Sequence, residues 1–76
     1  MNWKIVFDDI DGYSLQLRHQ QFRVVVYENA IQTYRVLVFA NNPECSCWFS
    51  TCVDTLITAL SLGEDKFKEF KKPYDG

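Results

Sequence analysis

Seventy-six residues make one small domain, 1–76, able to bury only about 60% of the surface its unfolded chain exposes and with nothing to spare for a second core. Eight Lys and Arg against ten Asp and Glu leave a formal charge of −2, which argues against the broad cationic footprint of a nucleic-acid binder, a local patch excepted. Hydrophobic residues at 47% and aromatics at 16% exceed what so small a core needs, so part of the aromatic complement belongs to the surface or to an interface.

Trp3, Ile5 and Phe7 alternate with polar or smaller neighbours, as do Tyr13, Leu15 and Leu17; this period of two predicts strands over about 3–9 and 13–18, joined as a hairpin. A three-residue loop, Ile10 to Gly12 with Gly12 left-handed, would set Phe7 opposite Leu15 and Ile5 opposite Leu17 and keep the apolar faces together. Asp8, Asp9 and Asp11 crowd this turn. The pattern lacks the remaining ligands of a calcium loop, and turn chemistry accounts for the aspartates. Their functional alternative is an acidic knob that steers toward a basic partner surface.

Strands over about 22–28 and 33–40 follow, rich in β-branched and aromatic residues. Between Leu17 and Phe22 the apolar parity switches from odd to even, which a four-residue turn over 18–21 absorbs; one long bent strand over 13–27 is the alternative. A loop over 29–31 would place Val24 opposite Val36 and Val26 opposite Tyr34. The reverse face then carries Arg23, Val25, Tyr27, Arg35, Leu37 and Phe39. Arginine with aromatics and little lysine is the composition of interface hot spots, so Arg23, Tyr27, Arg35, Leu37 and Phe39 are the candidate partner-binding residues, together with Asp8, Asp9 and Asp11.

Asn42-Pro43-Glu44 reads as a helix start and Gly63 as a stop, predicting a main helix over 43–62. Its apolar half would lie on the sheet through Trp48, Phe49, Val53, Leu56, Ala59 and Leu60. Its other half, with Cys47, Thr51, Asp54 and Thr58, holds one charge among small side chains, and these four residues form a candidate second interface. Glu64 to Lys72 predicts a short second helix, 64–72, tacked down by Phe67 and Phe70, and 73–76 reads as a frayed tail. The predicted architecture is therefore α+β, a four-stranded antiparallel meander with one main helix on one face and a short C-terminal helix.

Cys45, Cys47 and Cys52 sit within eight positions. On a helix, Cys45 and Cys52 would lie about 10 Å apart along the axis and Cys47 would point away, so neither a disulfide nor a shared metal follows. No metal and no cofactor are expected. His19 is the only histidine, and no phosphate loop or nucleophile elbow occurs, so no enzyme is expected. No apolar run reaches the roughly 18 residues of a membrane span, and no signal-peptide layout opens the chain; the expected setting is cytoplasmic, without membrane association.

The function these observations favour is a non-enzymatic protein-interaction module that binds or occludes a protein partner. It would be an inhibitor or adaptor, comparable in size and charge alone to phage-type inhibitors of host systems. Three alternatives stand beside it. One is single-stranded nucleic-acid binding through Arg18, Arg23 and Arg35 with Tyr27 and Phe39 stacking. Another is metal or thiol chemistry at the three cysteines. The last is a homodimer through the open sheet face or the second interface.

Overall fold

The computed structural model describes residues 2–8, 12–42 and 46–75. Five strands form one antiparallel sheet in chain order: β1 (Lys4–Asp8), β2 (Gly12–Arg18), β3 (Phe22–Ala30), β4 (Thr33–Ala40) and β5 (Cys47–Val53). A single helix, α1 (Leu56–Asp75), follows. The class is α+β with an antiparallel meander, as the sequence predicts, but the sheet has five strands instead of four and the helix lies further along the chain.

Of the helix expected over 43–62, only 56–62 is helical: residues 47–53 are a strand, α1 begins at Leu56, and 43–45 lie outside the described residues. Cys47–Val53 reads CWFSTCV, β-branched and aromatic residues that lose side-chain freedom in a helix and pack well on a pleated surface. Its pairing with β4 sets Phe49 opposite Val38 and Thr51 opposite Val36, with an irregularity at Val38/Phe39 that takes up Trp48. The true helix start is Thr55, whose hydroxyl accepts from the Thr58 backbone N–H at 3.2 Å, an N-cap bond.

The short helix expected over 64–72 is the second half of α1, which runs straight through Gly63. Gly63 does not stop the helix; it lets another element come close. A Cβ there would meet Cη2 of Trp3 at 2.6 Å and Cγ1 of Val24 at 3.3 Å. The Trp3 indole lies in that space, and its Nε1–H donates to Glu64 at 3.1 Å. Nor is 73–76 frayed throughout, because α1 continues to Asp75. There the carboxylate meets His19 Nε2 at 3.1 Å and Lys71 Nζ at 3.5 Å.

The core is the face of β3 and β4 made by Phe22, Val24, Val26, Val36 and Val38, joined by Leu17 and Ala59. Leu56, Leu60, Phe67 and Phe70 of α1 pack on it at helical spacing. Phe22 is 0% exposed and its ring lies within 6.3 Å, centroid to centroid, of Trp48, Phe67, Phe70 and Tyr74.

Two registers differ from expectation by two residues, and both leave the faces intact. In the first hairpin Phe7 pairs with Tyr13 and Ile5 with Leu15; Gly12, with φ 123°, is a β2 residue opposite Asp8, and Ile10 lies outside the described residues. In the third, Val24 pairs with Val38 and Val26 with Val36, with a bulge between Glu28 and Ala30 and a tight turn in which Gln32 has φ 64°. Residues 13–27 are two separate strands and not one bent strand, but the turn expected over 18–21 is shifted: Arg18 stays in β2, paired with Arg23, and the residues between the strands are 19–21. This turn lacks turn residues of its own, and Asn41 supplies the deficit: its amide donates to the carbonyls of His19 at 2.8 Å and Gln20 at 3.0 Å. No helix among the described residues is long and apolar enough to cross a membrane.

Candidate functional site

Because α1 takes the even-numbered face of β3 and β4, the odd-numbered face is left without a covering layer. The structure brings five of the expected residues together there: Arg23 opposite Phe39, Val25 opposite Leu37, Tyr27 opposite Arg35. This face shields itself. The Arg23 guanidinium lies 5.4 Å over the Phe39 ring, and Arg35 Nη2 donates to Ser50 Oγ at 3.4 Å. As a result Val25 and Gln16 are each only 8% exposed, although nothing but neighbouring side chains lies above them.

Parity also sorts the charges. Lys4 pairs with Gln16 and Arg18 with Arg23, so Lys4, Arg18, Arg23 and Arg35 all lie on this open face. Glu28 projects from the opposite face, opposite Tyr34, and Asp54, Glu64, Asp65, Glu69 and Asp75 belong to α1 and the residues leading into it. Among the described side chains, then, a protein with a formal charge of −2 presents a cationic sheet face; the side chains of Asp8, Asp9, Asp11 and Glu44 lie outside the described set.

Arg18 and Arg23, cross-strand neighbours, border a polar notch of about 450 Å³ with Gln16, His19 and Asn41. Arg23 Nη1 donates to Asn41 Oδ1 at 3.2 Å and Arg18 Nε to Gln16 Oε1 at 3.3 Å. The turn expected over 18–21 takes Arg18 out of its strand and so hides this grouping; the arginines face each other because β2 runs on through Arg18. Asn41 gave no signal either, since it acts on the turn from 20 residues or more away along the chain. Past Leu15–Val26 the β2–β3 pairing ends, and a groove of about 710 Å³ opens with Ser14, Tyr27 and Leu37 among its walls.

Other expected groupings do not assemble. Cys47, Thr51, Asp54 and Thr58 share no helix face. Cys47 sits opposite Phe39 on the open side and Thr51 opposite Val36 on the helix side, while Asp54 lies in a bend and Thr58 in the first turn of α1. Cys47 and Cys52 are free and exposed on β5, and Cys45 lies outside the described residues. Helical geometry therefore says nothing about these thiols. Among the described residues no three His, Cys, Asp or Glu side chains cluster to hold a metal. Asp8 ends β1 opposite Gly12; Asp9 and Asp11, the rest of the acidic knob, lie outside the described residues.

A second apolar surface went unforeseen. α1 packs on β3, β4 and β5 and leaves the β1–β2 end of its own side uncovered. Phe7 and Tyr13 are 78% and 57% exposed there, ring to ring at 6.4 Å. This is where part of the aromatic surplus lies.

His19 links the turn to the end of the helix. Its Nδ1 accepts from the Gln21 N–H at 3.1 Å, which leaves the proton on Nε2 to face Asp75 at 3.1 Å. That hydrogen bond, followed by the charges of His19 and Lys71, holds the Asp75 carboxyl below its ordinary value of 3.8 against a desolvation that opposes it. A depressed folded-state pKa gives stability that is present above the unfolded value and lost as pH falls through the folded one. Far-UV ellipticity is accordingly expected to fall as the last helical turn loosens below the ordinary value of 3.8. Asp75→Asn is expected to abolish that acid step, and a step identical in the variant would refute the assignment.

The fold and the open face define a small α+β domain with an antiparallel meander, one helix behind it and an arginine-aromatic face in front. Compared with protein-family models, with curated proteins and with solved structures, the chain matches none.

Proposed function

We propose that this domain is a binding module that docks a protein partner on the open face of its sheet and acts by occupying the partner's surface, as an inhibitor or adaptor, without catalysis. The observation that carries this reading is the contiguous placement of Arg23, Tyr27, Arg35, Leu37 and Phe39 on the one sheet face that α1 leaves bare. Arginine and aromatic side chains that stand over apolar neighbours supply the anchors of an interface centre. Arg18 supplies a polar rim that is wet in the free protein, with Ser14 and Gln16 packed below it at 9% and 8% exposure.

The test is the triple substitution Tyr27→Ala, Arg35→Ala, Phe39→Ala, used as bait beside the parent in affinity capture from the native cell. The captured partner is identified and its binding reconstituted from purified components. Loss of binding with ellipticity and thermal midpoint within a few degrees of the parent is expected; undiminished binding would sink the assignment.

A second reading is favoured by β5. Cys47–Val53 is an edge strand with no charged residue, whereas exposed edges are ordinarily guarded by charge, as Lys4 guards β1. Antiparallel pairing of two copies about Thr51 would set Phe49 against Val53 on one face and Ser50 against Cys52 on the other. The molar mass of the free protein distinguishes the two: the open-face reading expects a monomer, and a doubled mass abolished by Thr51→Lys would transfer the interface to this edge.

A further inference from the structure

We propose that Arg18 and Arg23, with Gln16, His19 and Asn41 around them, form an oxyanion pocket that receives a carboxylate from an acidic protein partner. The proposal rests on the open-face reading and gives the chemistry of what docks there.

Arg18 and Arg23 are direct cross-strand partners, and like charges facing each other across a strand pair are unfavourable. A folded protein ordinarily places an acid between such residues. Among the described residues none does so: the ion pairs formed are Lys66–Glu69 and Lys71–Asp75, the His19–Asp75 contact is a hydrogen bond, and no arginine takes part. The repulsion is left for something outside the described chain to neutralise.

The arginine forks are also underused. A guanidinium carries five N–H donors. Within the described structure Arg18 engages one of them, with Gln16, and Arg23 one, with Asn41. Gln16 is in turn held by Ser14, its Nε2 donating to the hydroxyl at 3.1 Å. Asn41 is fixed by its two bonds to the β2–β3 turn, and Phe39 lies beneath the Arg23 guanidinium. Both cations are thus oriented before any anion arrives, which lowers the ordering cost of binding. The remaining N–H groups border a notch of about 450 Å³, ample for a carboxylate, and arginine forks match a carboxylate in bidentate fashion.

A partner's carboxylate fits better than a nucleic-acid backbone for two reasons. Arg18 and Arg23 face each other directly across β2 and β3, while Lys4 does not line the notch and Arg35 stands four residues from Phe39 along β4, roughly 13 Å away at the rise of a strand. That is a single seat beside an apolar patch of Leu37 and Phe39, not a track along a phosphodiester chain. The net charge of −2 further opposes a polyanion while leaving a local acidic side chain free to dock.

The isolated domain is titrated with three probes, a blocked oligoglutamate peptide, inorganic phosphate and single-stranded oligothymidylate, while the Arg Nε–H and residue 16–23 amide resonances are followed. Oligoglutamate is expected to shift the Arg18 and Arg23 side-chain signals and to bind about tenfold or more weakly to Arg18→Gln/Arg23→Gln, the loss expected for charge-assisted bonds. Arg18→Lys, which keeps the charge but not the fork, is expected to lose most of the same affinity. Tighter, steeply salt-dependent binding of oligothymidylate that disappears in the double variant would replace the carboxylate by nucleic-acid phosphate. Equal response to phosphate would reduce the pocket to a general anion site, and no arginine response to any probe would remove it.

A stability readout stands apart from binding: Arg18→Gln at low salt is expected to raise the thermal midpoint by about 2 °C as the repulsion is relieved. Loss of the Arg18–Gln16 bond is common to all salt concentrations, so the change with salt decides: a variant that falls further behind the parent as salt is lowered would show that the pair is already neutralised within the protein and would overturn the proposal. The triple variant of the docking test keeps Arg18 and Arg23, so failure of the pocket and failure of the open-face reading are separable.

Discussion

Phe22→Ala is expected to lower the thermal midpoint by about 15–30 °C and to leave a protein partly unfolded at physiological temperature. Phe22 is 0% exposed and is the shared neighbour of three elements: its ring contacts Trp48 on β5, Phe67, Phe70 and Tyr74 on α1, and stacks 4.8 Å from His19. Truncating a buried phenylalanine costs about 3–5 kcal/mol, because the transfer term is joined by a cavity that surrounding rings cannot collapse into. A domain of this size has only about 4–11 kcal/mol in total, and each kcal/mol moves its midpoint by roughly 4–8 °C. The control is Val25→Ala. Val25 is 8% exposed, nearly as hidden, yet only flexible side chains of the open face cover it, and these can close over the gap; its expected cost is about 1 kcal/mol. Equal losses for the two variants would mean that α1 is not the layer that completes the core.

Gly63→Val is the second large effect, a loss of about 2–3 kcal/mol. A β-branched residue gains a few tenths of a kcal/mol of helix propensity over glycine, but its Cβ would fall 2.6 Å from the Trp3 ring and 3.3 Å from Val24. Val24 is fully buried, so overpacking there forces backbone movement. Trp3 sits toward the chain end and can swing out, breaking its bond to Glu64. A double-mutant cycle separates the two strains: in a Trp3→Ala background the Gly63 substitution is expected to cost about 1 kcal/mol less. Additive losses would place the clash on Val24 alone.

These residues also show what the sequence could reveal. Side-chain faces follow parity alone, so Val24, Val26, Val36 and Val38 were legible as one face and Arg23, Tyr27, Arg35, Leu37 and Phe39 as the other. Registers were not. A slip of two residues leaves every face unchanged, and both hairpins differ from expectation by that amount, with turn geometry deciding what hydrophobic pattern cannot. The helix was displaced because strong punctuation, Asn42-Pro43 before and Gly63 after, bracketed a segment whose apolar residues satisfy period 3.6 and period 2 nearly equally. Thr55 as the cap, and Phe67 and Phe70 as continuations of the stripe through Leu56, Ala59 and Leu60, were the signals that outweigh it. Gly63 reads as a stop in the sequence because glycine permits close approach as well as left-handed turning, and only the partner, Trp3, 60 residues earlier, discloses which.

The meander has a consequence for how the chain comes together. Each strand pairs only with its neighbour in sequence, so the sheet grows hairpin by hairpin with little loop-closure entropy to overcome. The contacts that span the molecule, Trp3 to Glu64 and His19 to Asp75, all depend on α1. During synthesis, then, a chain that has emerged as far as Val53 holds a nearly complete sheet whose Phe22, Val24, Val26, Val36 and Val38 face is still bare. The interval before α1 arrives is when this protein is most exposed to chaperones and to misassociation.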